Sequence, residues 1–372
     1  MGTSSSAVLA QRRPRRLWRV FKWFLLIILI LICAAAVAGA AYQAIATSRD
    51  AKRFPQEGRS VGLGPAFPGV SLNLHCTGQG SPSVIMDSGL GVPAVGWDLV
   101  QPEVAKFTRV CSYDRAGYGW STPGPMPRTS QEIARELHAL LAAAGEKGPY
   151  VLVAHSFGGY NVRVYTKDYP QDVAGMVLVD TSHEDQNKLE PPAMQAFNKK
   201  QTEHMDRQRI LASLMITFGV ARLTNNDSGG MNLPKPFADE IKYLELQPKY
   251  IAATMAEFAS FEESAGEVRA AGNLGDRPLI VLTAGKLPDV SQLPPELKRE
   301  DMEAFEKLWI DDLQMREAHL STRGKRILVA DSSHMIPFLR PDTVISAIRE
   351  VWDQVRSDSS GAPEAGTKTA AQ

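Results

Sequence analysis

The segment YVLVAHSFGGY, residues 150–160, constrains the fold more than any other stretch of this sequence. Five largely apolar residues, typical of a buried strand, run into a histidine and a serine, and two glycines follow soon after. A serine at a tight corner between strand and helix is held in strained backbone geometry, and small residues two positions before and after it make room for that corner. Ala154 and Gly158 occupy those positions. The pattern predicts a strand, a sharp turn at Ser156 and a helix whose N-terminus presents the amide of Phe157 as a hydrogen-bond donor.

Strand and helix signals alternate on both sides of this corner. Short apolar or β-branched runs predict strands at 72–76, 83–87, 109–114, 150–154, 175–180, 278–283 and 326–331. Apolar residues at helical spacing predict a helix from Thr129 to Ala144, with Thr129 and Glu132 as a capping box. Between 183 and 272 the pattern is helical throughout, without a convincing strand. The sequence therefore predicts an α/β fold, with a mostly parallel central sheet flanked by helices and an inserted helical cap.

The N-terminal region predicts a membrane anchor. Phe24 to Ile45 carries no charge over about twenty residues, enough to cross a hydrocarbon core of ~30 Å as a helix. Basic residues from Arg12 to Lys22 precede it, which predicts a cytoplasmic N-terminus and an extracytoplasmic remainder. Residues 36–38 and 38–40 also offer the small-x-small pattern of a cleaved signal peptide, and both interpretations export the same domain. The length of the apolar stretch favours a retained, single-pass anchor.

These signals divide the chain into seven segments. They are a basic cytoplasmic segment (1–23), a transmembrane anchor (24–46), a stalk with the first strand (47–70), the first part of the core (71–182), the cap (183–272), the second part of the core (273–356) and a disordered tail (357–372), rich in Ser, Ala, Gly and Thr.

Charge and composition limit the partners of the exported part. Seven basic residues and no acidic residue precede Asp50, which leaves 34 basic against 41 acidic residues, a net charge of −7, for the rest. A basic surface for nucleic acid is therefore not expected. No spacing of His, Cys and acidic residues is typical of a metal site, so neither a metal nor an organic cofactor is expected.

From about residue 71 to 355 the sequence resembles the α/β-hydrolase superfamily. Besides the corner at Ser156, YDRAGYGWS at 113–121 is similar to the signature after that family's fourth strand, and Asp114 and Arg115 within it are interpreted as a structural ion pair and turn. DSGLG at 87–91 occupies the place of the family's oxyanion loop, with Asp-Ser where His-Gly is usual. The resemblance implies that the backbone amides of Phe157 and Leu90 form an oxyanion hole.

The resemblance also implies a Ser–His–acid triad in that chain order. Ser156 is the implied nucleophile and His334, in ADSSHMIPFLRPD, the implied base. The acid has two main candidates. Asp180 ends the strand GMVLVD, where placement is rigid, whereas Asp289 follows the next core strand in a proline-containing loop, one residue beyond the usual spacing. The rigid placement favours Asp180.

The implied function is a membrane-anchored extracytoplasmic serine hydrolase that cleaves carboxylic esters through an acyl-enzyme. Met and Phe residues of the cap suggest a small, apolar acyl substrate. An amide or peptide hydrolase of the proline-aminopeptidase type and a non-catalytic binding module are the alternatives. Because the second and fourth strands are neighbours in this fold, Cys76 and Cys111 could form a disulfide in an oxidising compartment.

Overall fold

A mixed eight-stranded sheet forms the centre of the molecule. The computed structural model describes residues 15–224, 235–286 and 293–361. In these residues the strands are β1 (Arg59–Gly62), β2 (Ser71–Thr77), β3 (Val84–Asp87), β4 (Val110–Tyr113), β5 (Tyr150–His155), β6 (Val173–Val179), β7 (Leu279–Ala284) and β8 (Gly324–Val329). Their order in the sheet is β1-β2-β4-β3-β5-β6-β7-β8. Only β2 runs antiparallel to its neighbours, β1 and β4.

Helices cover the sheet and connect most of its parallel strands. The bounds are α1 (Arg15–Arg53), α2 (Gln101–Val104), α3 (Ser130–Ala144), α4 (Gly158–Asp168), α5 (Gln186–Leu189), α6 (Pro192–Glu203), α7 (Met205–Thr217), α8 (Val220–Thr224), α9 (Lys235–Glu245), α10 (Pro248–Ala259), α11 (Phe261–Arg269), α12 (Arg299–Leu308), α13 (Gln314–Ala318), α14 (Ile336–Leu339) and α15 (Pro341–Gly361). A π-helix, Trp309–Leu313, joins α12 to α13. Helices α5 to α11 all lie between β6 and β7, in the region predicted to form the cap. The predicted α/β fold class is confirmed.

Strand β5 shows why its sequence is almost uniformly apolar. Leu152 and Ala154 face one hydrophobic core, which includes side chains of α3 and α4, while Val151 and Val153 face a second core, which includes side chains of α15. A strand buried on both faces has a continuous run of apolar residues in its sequence, rather than an alternation of apolar and polar residues. The strand therefore ends deep in the molecule and brings the residue after His155 to the carboxyl edge of the sheet.

Two helices extend past segment boundaries expected from the sequence. Helix α1, which contains the expected anchor 24–46, continues to Arg53 and ends just before Pro55, whose ring excludes it from a helix interior. Helix α15 continues to Gly361, so residues 357–361, expected to belong to a disordered tail, are helical. The hydroxyls of Ser357 and Ser360 donate to carbonyls one turn earlier, which makes serine compatible with this helix end. Residues 362–372 lie outside the described residues.

The sheet also pairs the two cysteines of the exported part. Cys76 on β2 lies directly opposite Cys111 on β4 in the antiparallel register. The two residues form a disulfide bond, with 4.1 Å between their Cα atoms.

Candidate active site

Ser156 occupies the corner between β5 and α4. Ser156 and Asp180 are the two non-glycine residues of the described chain with a positive φ, 53° and 47° respectively. A Cβ on Gly158 would lie 2.7 Å from the backbone oxygen of Asp87, and one on Gly159 would lie 2.5 Å from Cβ of Thr181. Real Cβ atoms do not approach so closely, so glycine is needed at both positions for α4 to pack against the neighbouring strand ends.

Asp180 follows the last residue of β6 and is 2% exposed. Its Oδ1 accepts hydrogen bonds from the amide of Ala284, at 2.9 Å, and from Nε1 of Trp309, at 2.8 Å. Its Oδ2 lies 2.6 Å from Nδ1 of His334. Burial alone would raise the pKa of this carboxyl, but the hydrogen bonds from His334, Trp309 and Ala284 and the charge of His334 lower it below the ordinary value of 3.8. Asp180 is therefore a carboxylate at neutral pH.

His334 lies in the loop between β8 and α14. Because Asp180 is ionised, Nδ1 of His334 donates to it, which leaves Nε2 as the nitrogen that can take a proton. The side chain of His334 is about half-exposed, 48%, and lines the same cavity as Ser156 and Asp180. The structure thus brings together the predicted serine, histidine and strand-end aspartate. Asp289, the other predicted acid, lies outside the described residues.

His155 contacts the loop that contains His334. Its Nε2 lies 2.9 Å from the backbone oxygen of His334, and the two rings are 4.7 Å apart. Burial, assisted by the neighbouring His334, lowers the pKa of His155 to about 3. The ring is therefore neutral at neutral pH, and Nε2 must carry its proton in order to donate to a carbonyl oxygen.

Arg115 has different partners from those expected. Its fully buried guanidinium forms ion pairs with Asp87, at 2.8 Å, and with Glu257 on α10, at 2.8 Å. The carboxylate of Asp114 instead accepts from the side chain of Asn73 and from the backbone amides of Ala94 and Trp120. The expected ion pair between Asp114 and Arg115 is therefore wrong. Residues 87 and 257 are remote in sequence from the signature, and no local pattern links them.

The same guanidinium shapes the loop after β3. Arg115 donates to the carbonyl oxygens of Ser88, at 2.6 Å, and Gly89, at 2.9 Å. Two consecutive carbonyls are thereby fixed toward the interior just before Leu90. In the described part of the chain, neither the amide of Leu90 nor that of Phe157 is paired with an acceptor. Both amides are thus left as donors beside Ser156.

The cavity around Ser156 has two lobes. One, of about 300 Å³, also contains Asp180 and His334 and is lined by the apolar side chains of Ala284, Met302, Phe305 and Trp309. The other, of about 350 Å³, is lined by Leu90, Phe258, Ala259 and Phe261, together with polar groups such as Asn198, Thr202 and Glu262. Ser182 and Gln186 line both lobes. A hydroxyl between two mainly apolar lobes suits a substrate with a group on each side of the reacting bond.

Two clusters of the described residues have the spacing of metal ligands, but their chemistry favours other roles. Cys76 and Cys111 approach Glu146, yet their sulfurs are joined in the disulfide and cannot act as thiolates. The second cluster is His183, Glu184 and Glu317. Both of its carboxylates bind the buried guanidinium of Arg163, at 2.6 and 2.8 Å, so a cation already lies between them.

Trp309 and His155 are the site residues whose contacts the sequence did not predict. Trp309 lies in the π-helix, where one extra residue per turn shifts the direction of the side chains relative to α12. The π-helix has no composition signal, so the contact of Trp309 with Asp180 is visible only in three dimensions. His155 is adjacent to Ser156 in the sequence, but its acceptor, the backbone oxygen of His334, is remote in the chain.

Comparison with known proteins identifies the family. The family model described as "Alpha/beta hydrolase family" matches residues 84–347, which is more than half of the chain. The chain belongs to the α/β hydrolase family. The hydrolase is also 25% identical over 299 residues to a probable transporter, efuK, of Hormonema carpetanum. That match covers 76% of this chain and 40% of the relative, so the chain spans less than half of that protein's length.

Solved structures show the same fold. A thermophilic esterase from Thermogutta terrifontis aligns with a TM-score of 0.53 at 22% identity, over 80% of this hydrolase and 98% of the esterase. A candidate epoxide hydrolase from Pseudomonas aeruginosa aligns with a TM-score of 0.59 at 18% identity, over 80% and 96% of the two chains. At these identities the similarity concerns the fold alone. The reaction depends on the residues around Ser156.

Proposed function

We propose that this hydrolase cleaves carboxylic esters through an acyl-enzyme formed on Ser156. The observation that carries the proposal is the hydrogen bond of 2.6 Å between Asp180 and His334 within the cavity that Ser156 lines. A serine hydroxyl is a weak nucleophile until a base removes its proton, and a histidine held by a carboxylate is suited to that role. Asp180 fixes the tautomer of His334 and stabilises the imidazolium that forms.

Acylation follows from these positions. Oγ of Ser156 attacks the ester carbonyl carbon while its proton passes to Nε2 of His334. The carbonyl oxygen becomes an oxyanion, for which the amides of Phe157 and Leu90 are the proposed donors. As the tetrahedral intermediate collapses, the bond to the alkoxide oxygen breaks, and His334 returns its proton to that oxygen. The alcohol leaves, and the acyl group remains bound to Ser156.

Deacylation repeats these steps with water. His334 takes a proton from water, whose oxygen attacks the acyl carbon and forms a second tetrahedral intermediate. The bond to Oγ breaks, and the proton on His334 returns to Ser156. The products are one carboxylic acid and one alcohol, and the residues return to their starting state.

The nucleophile distinguishes this proposal from epoxide hydrolysis, the activity named for one structural neighbour. Epoxide opening in this fold requires a carboxylate at the nucleophile position, and this chain has a serine there. Asp180, which lines one lobe together with Ser156, is already engaged by His334, Trp309 and the amide of Ala284. The residues therefore favour acyl transfer.

The proposed location is the outer face of a membrane, with α1 as a retained single-pass anchor. Within α1, Trp18–Arg53 is long and apolar enough to cross a bilayer, with a mean hydropathy of 3.0 in its most apolar window. The basic residues that precede the apolar stretch favour a cytoplasmic N-terminus. The disulfide between Cys76 and Cys111 supports an oxidising compartment for the remainder.

A panel of esters and aminoacyl amides of graded chain length, assayed with the purified full-length protein, tests the reaction. We expect ester hydrolysis that Ser156→Ala reduces by about 10⁶-fold in kcat. Ser346→Ala is the matched control, because this exposed hydroxyl on α15 only donates to a carbonyl of its own helix. Hydrolysis of amides but not esters would support the peptidase alternative. Absence of hydrolysis by correctly folded protein would support a binding module.

A further inference from the structure

Helices α7 and α8 of the cap carry an exposed apolar surface. It consists of Ile210, Leu211, Leu214, Phe218, Val220 and Leu223, whose side chains are 36% to 68% exposed, and we call it the apolar cap face. From 205 to 224, which includes α7 and α8, the sequence has three arginines and a single acidic residue, Asp206 near the start of α7. Exposed apolar side chains on helices with few acidic residues are typical of segments that lie at a membrane surface.

The apolar cap face adjoins α1. The turn between α7 and α8 packs against Gly39, where a Cβ would clash with the carbonyl oxygen of Phe218. On the other side of the contact, a Cβ on Gly219 would lie 2.9 Å from the ring of Tyr42. Less exposed positions of α1 recur at 36, 39, 40, 43, 46, 47 and 50, the spacing of one helix face. Small residues at the contact therefore let the cap approach the apolar part of α1 closely.

Polar contacts hold the cap in this position. Arg222 on α8 donates to Gln43, Thr47 and Asp50 of α1, at 2.9, 3.3 and 2.6 Å. The side chain of Gln43 also donates to the carbonyl oxygen of Leu246, at 3.0 Å. Most of these partners follow the apolar stretch, which ends at 45. The ion pair between Arg222 and Asp50 thus lies where lipid headgroups would be, and the turn at Phe218 and Gly219 lies beside the preceding, apolar residues of α1.

The length of α1 indicates how deep this contact lies. Only 13 residues, 23–35, separate Lys22 from the start of the contact at Ala36. As a helix they measure about 20 Å, whereas a hydrocarbon core is ~30 Å thick. If α1 spans the bilayer, residues after Ala36 must also lie in hydrocarbon, together with whatever packs on them. Gly39 precedes Ile45 by six residues, which places the contacting turn about 9 Å below the outer end of the apolar stretch.

We propose that the apolar cap face is inserted into the outer leaflet beside α1, so that the hydrolase is held to the membrane by its cap as well as by its anchor. The inference rests on the proposed membrane anchoring. The depth of about 9 Å agrees with the ~5–10 Å to which interfacial helices bury their apolar faces. A lipid bilayer is the partner because the apolar cap face is continuous with a helix that would itself be surrounded by lipid.

The test uses the full-length chain in liposomes of phosphatidylcholine and phosphatidylglycerol, with an environment-sensitive fluorophore on one cysteine at a time. Leu214→Cys and Leu223→Cys, each in a Cys33→Ser background, report on the apolar cap face. Native Cys33, the free and exposed thiol in the apolar stretch, reports on the anchor. Asp353→Cys, exposed on α15, is the aqueous control. Labelling is done without reductant, which preserves the disulfide, and circular dichroism checks that each variant folds.

Lipids spin-labelled on their acyl chains are then added as quenchers. We expect labels at 214 and 223 to emit at shorter wavelength than the label at 353 and to be quenched at least half as strongly as the label at Cys33. Strong quenching at Cys33 with aqueous behaviour at 214 and 223 would overturn the inference while leaving the anchor intact. Weak quenching at Cys33 as well would refute the anchor. Labels at 214 and 223 shielded from both water and lipid would indicate a second copy of the chain and would also overturn the inference.

Discussion

Replacing Asp180 with asparagine reverses the direction of one hydrogen bond while changing the side-chain volume very little. In the native chain, Oδ1 accepts from Ala284 and Trp309, and Oδ2 accepts from Nδ1 of His334. Asparagine has a single acceptor oxygen, and the two donors near Oδ1 require it there. The amide nitrogen must then face His334 and donate to Nδ1. The imidazole is thereby held with its proton on Nε2, the tautomer that cannot accept a proton from Ser156.

The expected loss in kcat is large because His334 is present but held in the wrong tautomer. Holding the histidine of such a triad in the wrong tautomer lowers kcat by about 10⁴-fold, equivalent to about 5.5 kcal/mol of transition-state stabilisation. We expect this loss in kcat, with little change in KM because Asp180 is buried beneath His334. The assay is steady-state hydrolysis of a chromogenic ester near neutral pH, and circular dichroism confirms that the variant is folded.

Asp331→Asn is the matched control for this prediction. Asp331 is in the same loop as His334, but its carboxylate is exposed and pairs with Arg340 on the surface. Exposed ion pairs contribute ~0–1 kcal/mol, so kcat should change by less than about twofold. If Asp180→Asn keeps kcat within about tenfold of the native value, Asp180 is not the acid. Asp289→Asn should then show the collapse instead.

Three further perturbations test the surroundings of the site. The pKa of His155 falls from 6.5 in the unfolded chain to about 3 in the folded one, so the unfolded state binds more protons between these pH values. Acidification from pH 7 to 4.5 should therefore destabilise the native protein by about 2.5 kcal/mol through this residue. Denaturant unfolding at both pH values should show this loss of stability in the native protein but not in His155→Gln, and equal losses of stability in the two proteins would contradict the prediction. Gly158→Ala should lower the melting temperature and reduce activity, since its Cβ meets backbone oxygens at 2.7 and 2.8 Å. Gly266→Ala, at an exposed helical glycine with open space around it, should raise the free energy of unfolding by ~0.5–1 kcal/mol. Equal effects of Gly158→Ala and Gly266→Ala would show that close packing does not require glycine at 158. Replacing Cys76 and Cys111 together with alanine opens a loop with a sequence separation of 35 and should cost about 4 kcal/mol in the free energy of unfolding, whereas an unchanged denaturation midpoint would show that the bond does not form.

Much of the fold could be predicted because local and global preferences agree. The apolar run of β5 reflects a strand buried on both faces, and Gly158 and Gly159 reflect a helix that closely approaches the backbone after β3 and the side chain of Thr181. Thr129 begins α3 as predicted, since its hydroxyl accepts from the amide of Glu132. Each of these features depends on residues adjacent in sequence, so the sequence pattern records it directly.

The rest depends on contacts between residues that are far apart in the chain. Asp180 is separated from Trp309 by 129 positions and from His334 by 154, and no local signal states which carboxylate meets the histidine. The partners of Arg115 were assigned wrongly for the same reason. The sequence also did not indicate how far α1 extends beyond the apolar stretch, because its polar C-terminal turns bind cap residues such as Arg222. The catalytic roles of Ser156, His334, Asp180, Phe157 and Leu90 stay predictions.

Covalent labelling of the full-length protein with a fluorophosphonate tests the central proposal most directly, because the probe reacts with an activated serine whatever the natural substrate is. Peptide mapping by mass spectrometry should find one adduct, on the peptide that contains Ser156. Ser156→Ala should abolish the adduct, and Asp180→Asn should slow its formation by about 10⁴-fold. An unlabelled but correctly folded native protein, or an adduct on another serine that survives Ser156→Ala, would contradict the proposal that Ser156 is the nucleophile.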